Sequence, residues 1–209
     1  MIKAVIFDWN GVIIDDMDAN ARANCDVIQK LSGRKVSVST WFKEIKQDWR
    51  VFFIKHGVKE EEIPKVLLMT PDYYLKYAAY AKPVNHVTDI LNYLKEKKIK
   101  MGVLSGTCKK NIIENIKMFS LNGYFDFIIS AEDVQNQKPH PEPLEKAVKE
   151  TGFTEKEIIY VDDMSTIFQH ARNLGIITVG FESRISGEFH DADYIINDIR
   201  KIKEIIENR

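Results

Sequence analysis

Ala4-Val5-Ile6-Phe7-Asp8-Trp9-Asn10-Gly11-Val12-Ile13-Ile14-Asp15 is the stretch whose reading decides the fold. An apolar run, Ala4 to Phe7, leads without interruption into an aspartate, and a glycine follows shortly after. A short, continuously apolar segment closed by polar residues and glycine is the pattern of a strand buried on both faces of a parallel sheet. The same pattern recurs at Lys100 to Leu104, Phe125 to Ile129, Ile158 to Val161, Ile176 to Val179 and Tyr194 to Ile196. Between these runs lie apolar positions at helical spacing: Val87, Ile90, Leu91 and Leu94; Ile112, Ile113, Ile116 and Phe119; Leu144, Ala147 and Val148. Pro141 suits a first helical turn, and Gly123, Gly152 and Gly175 fall where helices should stop. This alternation predicts a doubly wound α/β parallel sheet with right-handed crossovers.

Residues 16–82 break the rhythm, because no strand-like run occurs there. Met17, Ala21, Cys25, Ile28 and Leu31 form one helical stripe, and Trp41, Ile45, Trp49 and Phe52 form another at spacings of three and four. Tyr73, Tyr77 and Tyr80 follow. An all-helical insertion is expected, with its aromatics serving mainly as core. The predicted organisation is a core of residues 1–15 and 83–209 and an inserted helical domain of residues 16–82.

At 209 residues the chain can bury a sizeable core, and 44% hydrophobic with 29% charged residues is the balance of an ordinary globular protein. Lys plus Arg (30) and Asp plus Glu (31) nearly cancel, so no global field attracts nucleic acid or an anionic membrane. Cys25 and Cys108 fit no metal or redox spacing, and Cys25 falls on an apolar stripe. No apolar run has the length of a signal core or a membrane span. A cytoplasmic protein, monomeric or homodimeric, is the expectation.

In open α/β sheets ligands bind beyond the carboxyl ends of the strands. Asp8-Trp9-Asn10-Gly11 follows the first strand, Ser105-Gly106-Thr107 the second, a loop with Gln137-Lys138-Pro139 the third, and Asp162-Asp163 the fourth. Singly, each has an ordinary structural use: a strand-tip Asp or Ser caps a helix, a lysine is solvated, two acids face water. Four in this order, each at a strand end, point to a site.

This order resembles the four motifs of the haloacid dehalogenase-like hydrolase superfamily, and the resemblance spans nearly the whole chain. It implies a Rossmann-like core with a helical cap at residues 16–82, and a small phosphorylated metabolite as partner. It implies Asp8 as nucleophile, Lys138 beside nucleophile and phosphate, and Mg²⁺ held by Asp8, Asp163 and the backbone of Asn10, with Asp162 in the outer shell or as a further ligand. Ser105 with the N–H groups of Gly106 and Thr107 would bind phosphate oxygens, as backbone donors at a helix N-terminus favour anions. The chemistry requires such a set. A phosphate ester repels an anionic nucleophile until a cation neutralises it, and Mg²⁺ prefers a few carboxylates with water and substrate completing its shell.

The sequence departs from the family at Asn10, where phosphate-ester hydrolases of this type carry a second Asp that exchanges a proton with the leaving group. An amide cannot exchange a proton at neutral pH. A further family Asp corresponds to Ile167. Three functions are therefore open: a phosphatase similar to phosphoglycolate phosphatases with reduced turnover, a phosphate-binding or regulatory protein on an impaired scaffold, or a C–halogen or C–P hydrolase. Arg50, next to Trp49, and His56, before Gly57, are the insertion residues to test first for substrate contact, although stacking and helix-end complementarity account for them more readily.

Overall fold

In the computed structural model, which describes residues 1–45 and 49–209, the chain divides into two units. One is Met1–Asp15 with Pro83–Arg209 and the other is Asp16–Lys82. The first contains β1 (Ala4–Phe7) and β2 (Ile14–Asp15). The second holds α1 (Met17–Ser32), α2 (Val38–Glu44), α3 (Trp49–Lys55) and α4 (Ile63–Lys76). After β3 (Lys82–Pro83) come α5 (Val87–Glu96), β4 (Lys100–Leu104), α6 (Lys109–Met118), β5 (Phe127–Ile129), α7 (Glu142–Thr151) and β6 (Ile158–Asp162). The chain continues through α8 (Phe168–Leu174), β7 (Ile177–Phe181) and β8 (Tyr194–Ile196) to α9 (Lys201–Glu207).

Six strands pair in the order β5-β4-β1-β6-β7-β8, while β2 and β3 form a separate pair. Every pairing in the larger sheet is parallel. β1 is central, and all four of its residues are buried, which is why its run carries no polar residue. Phe7 lies opposite Val103 on β4 and Val161 on β6, so the residues just past these positions emerge side by side at the carboxyl edge. The chain moves outward from β1 to β4 and β5 and returns to β6, making β1/β6 the switch point where such sheets open a crevice. On one face, Leu144, Ala147, Phe168 and Ala171 of the helices pack on Ile6, Ile158 and Tyr160 of the sheet.

The doubly wound α/β sheet thus matches its reading from sequence, with differences at the element level. The β5 strand begins at Phe127 because the Asp126 carboxylate accepts the Met101 N–H at 2.8 Å, so a side chain substitutes there for regular pairing. The β7 strand extends to Phe181, held on both sides by β6 and β8. A Cβ at Gly102 of β4 would lie 2.1 Å from the Phe127 ring, so only glycine admits that neighbour. On α6 the buried residues are Asn111, Ile112 and Asn115, and Ile113 is 38% exposed. The counted apolar stripe therefore misplaces this helix's inner face by one position. Gly152 and Gly175 close α7 and α8 in the left-handed conformation, but α6 ends at Phe119 and Ser120, with Ser120 at φ 57, leaving Gly123 to a separate turn.

In the second unit α1 buries Met17, Ala19, Ala21, Ala23, Cys25, Val27 and Ile28, a face wider than the single stripe. Ala19 and Ala23 are small enough for Tyr74 of α4 to pack against them, and the Tyr74 hydroxyl donates to Asp16 Oδ2 at 3.0 Å. Trp41 and Phe52 do not share a helix: Ile45 takes an extended conformation (φ −63, ψ 133) and ends α2, so the sequence stripe spans two helices. Trp41, Phe52, Phe53 and Tyr74 are buried, as core aromatics are. No helix among the described residues is long and apolar enough to cross a membrane.

Candidate active site

Asp8 follows β1 directly, and its backbone N–H still pairs with Val161 O of β6 at 2.8 Å. The chain then turns back sharply: Ile13 and Ile14 N–H groups both reach Trp9 O at 3.0 Å, Gly11 N–H donates to Ile14 O at 2.7 Å, and Gly11 adopts φ 85. This hairpin-like reversal keeps the Asp8 carboxylate at the sheet edge, buried to 6% exposure.

Lys138 joins Asp8 to Asp162. Its Nζ lies 2.6 Å from Asp8 Oδ1, 2.8 Å from Asp162 Oδ2 and 3.4 Å from the Tyr160 hydroxyl. The Tyr160 hydroxyl also donates to Asp162 Oδ2, and the Met164 N–H donates to Asp162 Oδ1 at 2.9 Å. Both Asp162 oxygens therefore accept from protein groups. Asp163 instead receives the Ser183 hydroxyl at Oδ2, 2.6 Å away.

Asp8, Asp162 and Asp163 are all buried and each brings one carboxylate oxygen within 4.8 Å of the others. Burial pushes the Asp8 carboxyl up to about 7; the neighbouring Lys138 ammonium opposes this and Asp162 adds to it. Asp163 is likewise held well above the usual carboxylate range, by burial and then by the charges of Asp8 and Asp162. Burial alone would lower Lys138, but Asp162 and Asp8 keep it well above its ordinary value and hence charged. Three buried carboxyl groups thus crowd one ammonium, and a divalent cation would favour their ionised forms and balance the added charge. An all-oxygen carboxylate set suits a hard cation, so the residues present fit a metal of that kind.

Asn10 points its side chain at the β4 tip. Its Oδ1 accepts the Thr107 hydroxyl at 2.5 Å and the Ser105 hydroxyl at 3.3 Å. The Ser105 N–H is used by Ile129 O, and the Thr107 N–H by Ser105 Oγ at 3.1 Å. The Thr107 N–H, expected to face phosphate, thus closes a local turn in this structure. Gly106 is the exposed residue of the three.

The structure therefore brings Asp8, Asn10, Ser105, Thr107, Lys138, Asp162 and Asp163 to one edge of one unit. Arg50 and His56 belong to the other. Arg50 is exposed on α3, whereas Trp49 packs edge-on against Phe53 at 5.6 Å. His56 sits 2.9 Å from Glu44 Oε2 with its ring against Phe52. Two residues of the cluster escaped sequence reasoning. Tyr160 lies in an apolar run, yet its position two before Asp162 places it on the same strand face, a signal that was legible. Ser183 lies beyond the expected end of its strand and carried no signal.

A family model for haloacid dehalogenase-like hydrolases matches residues 5–181. The chain belongs to this family. Among curated members, a pyrophosphatase PpaX of Halalkalibacterium halodurans is 30% identical over 129 residues, 60% of this chain and 60% of that protein. The chain thus spans less than two thirds of that relative's length. A glyceraldehyde 3-phosphate phosphatase of Methanocaldococcus jannaschii is 22% identical over 100% of this chain and 98% of its own. Among solved structures, CbbY from Rhodobacter sphaeroides in complex with phosphate superposes with a TM-score of 0.83 at 16% identity, covering 97% of this chain and 96% of that one, a likeness of fold.

Proposed function

We propose that this chain is a Mg²⁺-dependent phosphatase that hydrolyses a small phosphorylated metabolite through a phosphoryl group carried on Asp8. The observation that carries this reading is the Lys138 bridge from Asp8 to Asp162, within a cluster of buried carboxyl groups. The names of the relatives, which act on phosphate compounds, support it.

Asp8, Asp163 and the backbone carbonyl of Asn10 would hold Mg²⁺, which when bound neutralises and orients the phosphoryl oxygens. An Asp8 oxygen attacks phosphorus, an O–P bond forms, and the ester P–O bond breaks, its electron pair leaving with the alcohol oxygen, which takes a proton from solvent. Water then attacks phosphorus and gives a proton to solvent as the Asp8 O–P bond breaks, releasing inorganic phosphate and restoring the Asp8 carboxylate. Lys138 stays protonated and offsets charge on Asp8 and the transferring group, so positioning and electrostatics supply most of the rate. Ser105 and the Gly106 N–H bind the remaining phosphoryl oxygens, and Asp162 keeps Lys138 in place.

The test is hydrolysis of p-nitrophenyl phosphate with Mg²⁺. Activity is expected in the parent and absent in Asp8→Asn, and a variant without Asp8 that works at the parent rate would refute the assignment. One observation favours a second reading, a phosphate-binding protein with little turnover: Asn10 supplies an amide where proton exchange is needed. Tight phosphate binding without hydrolysis of any ester would select it.

A further inference from the structure

We propose that Ser183 is a positioning residue that orients Asp163 toward the metal; this rests on the metal site of the function proposed above. Among the described residues, the Ser183 hydroxyl is the side-chain donor that Asp163 receives, at 2.6 Å on Oδ2. That hydroxyl is itself oriented. Ser183 Oγ accepts the Ile185 N–H at 3.2 Å, which turns its own proton toward the carboxylate. The Ser183 N–H goes to Ser186 Oγ at 3.1 Å, and the Ser186 hydroxyl returns to Ser183 O at 3.0 Å. Ser183 is therefore held by a closed turn just beyond β7, and β7 is the parallel neighbour of β6, with Asp162 opposite Gly180.

Asp163 needs such a hold. It faces the carboxylates of Asp8 and Asp162, which repel it, while Lys138 bonds to those two and not to it. Ile167, nearby in sequence, is buried in the core and offers Asp163 no side-chain donor. A donor on Oδ2 fixes the carboxylate plane and leaves Oδ1 for a cation, the arrangement by which outer-shell hydrogen bonds orient metal ligands.

The test is Mg²⁺ binding by titration calorimetry, without substrate, on the parent, Ser183→Ala and Ser183→Thr, with circular dichroism to verify folding. Loss of an outer-shell partner should weaken Mg²⁺ by about 10- to 100-fold in Ser183→Ala. Ser183→Thr, which keeps the hydroxyl, should restore binding to near the parent value. A purely structural role would lower the metal-free melting temperature of Ser183→Ala and leave its Mg²⁺ affinity at the parent level, which would overturn the proposal. A threonine variant as weak as the alanine one would overturn it too. A parent that binds no Mg²⁺ would remove this inference together with the metal in the proposed function, whereas a parent that binds and an alanine variant that binds equally would remove this inference alone.

Discussion

Replacing Asn10 with aspartate should install, on the function proposed above, a proton exchange that an amide cannot supply. General acid–base help is worth about 10² to 10⁴ in rate, or roughly 3 to 5 kcal/mol at the barrier. The structure argues that the exchange is tolerated. Asn10 Oδ1 already accepts two hydroxyl hydrogen bonds, from Thr107 and Ser105, and a carboxylate of the same shape would accept both. Hydrogen bonds to a charged acceptor contribute about 1.5 to 3 kcal/mol against roughly 0.5 to 1.5 for neutral ones, which offsets part of the repulsion from Asp8. The gain must depend on the leaving group, because an aryl oxide departs without a proton and an alkoxide does not. The assay is kcat/KM for p-nitrophenyl phosphate and for glycerol phosphate, with Mg²⁺, in parent and Asn10→Asp. The aryl-to-alkyl ratio should fall by about 10² to 10⁴ in the variant, through a rise in the alkyl rate. Unchanged alkyl-ester turnover would refute the reasoning, since water or another group would then carry the proton.

The raised carboxyl of Asp8 predicts the pH response of metal-free protein. A folded pKa of about 7 against the ordinary 3.8 means that folding favours the protonated form, so this contribution is full below about 3.8 and is lost as pH rises through about 7. Thermal melts in chelator should therefore show the parent losing stability relative to Asp8→Asn across that window, and a constant difference would contradict the assignment. Asn10-Gly11 is a pair prone to deamidation, which requires the Gly11 nitrogen to attack the Asn10 side-chain carbonyl. With the Gly11 N–H bonded to Ile14 O at 2.7 Å and Asn10 Oδ1 held by two hydroxyls, peptide mass spectrometry should find conversion slower in native than in urea-unfolded protein.

Several features were legible because they follow from local rules. Ala4 to Phe7 reads as a buried strand since every residue of it is apolar, and the structure buries all four. Parallel pairing then converts tip positions that are distant in sequence into neighbours, as Phe7 opposite both Val103 and Val161 demonstrates. What escaped depended on partners that are distant in sequence or on small rotations. The inner face of α6 takes Asn111 and Asn115 in preference to Ile113, an outcome that counting apolar residues does not reach. The contact of His56 with Glu44, twelve residues away in sequence, had no signal in the chain.

The Asp162-Asp163 doublet shows how strand geometry assigns different tasks to identical neighbours. From the family resemblance Asp163 is the expected metal ligand and Asp162 an outer-shell group or further ligand. Successive side chains on a strand point to opposite faces, and residues two apart share one. Asp162 therefore lies with Tyr160, on the side where Lys138 enters, and its oxygens accept Lys138, Tyr160 and the Met164 N–H. Asp163, the first residue beyond β6, accepts instead from Ser183, just past β7. The chain leaves the strand between the two acids, and Lys138 bonds to Asp162 and not to Asp163. On the function proposed above, a Lys138 bonded to Asp163 as well would leave the cluster without the carboxylate that is to hold the cation, so the offset of one residue would let an ammonium and a metal share Asp8.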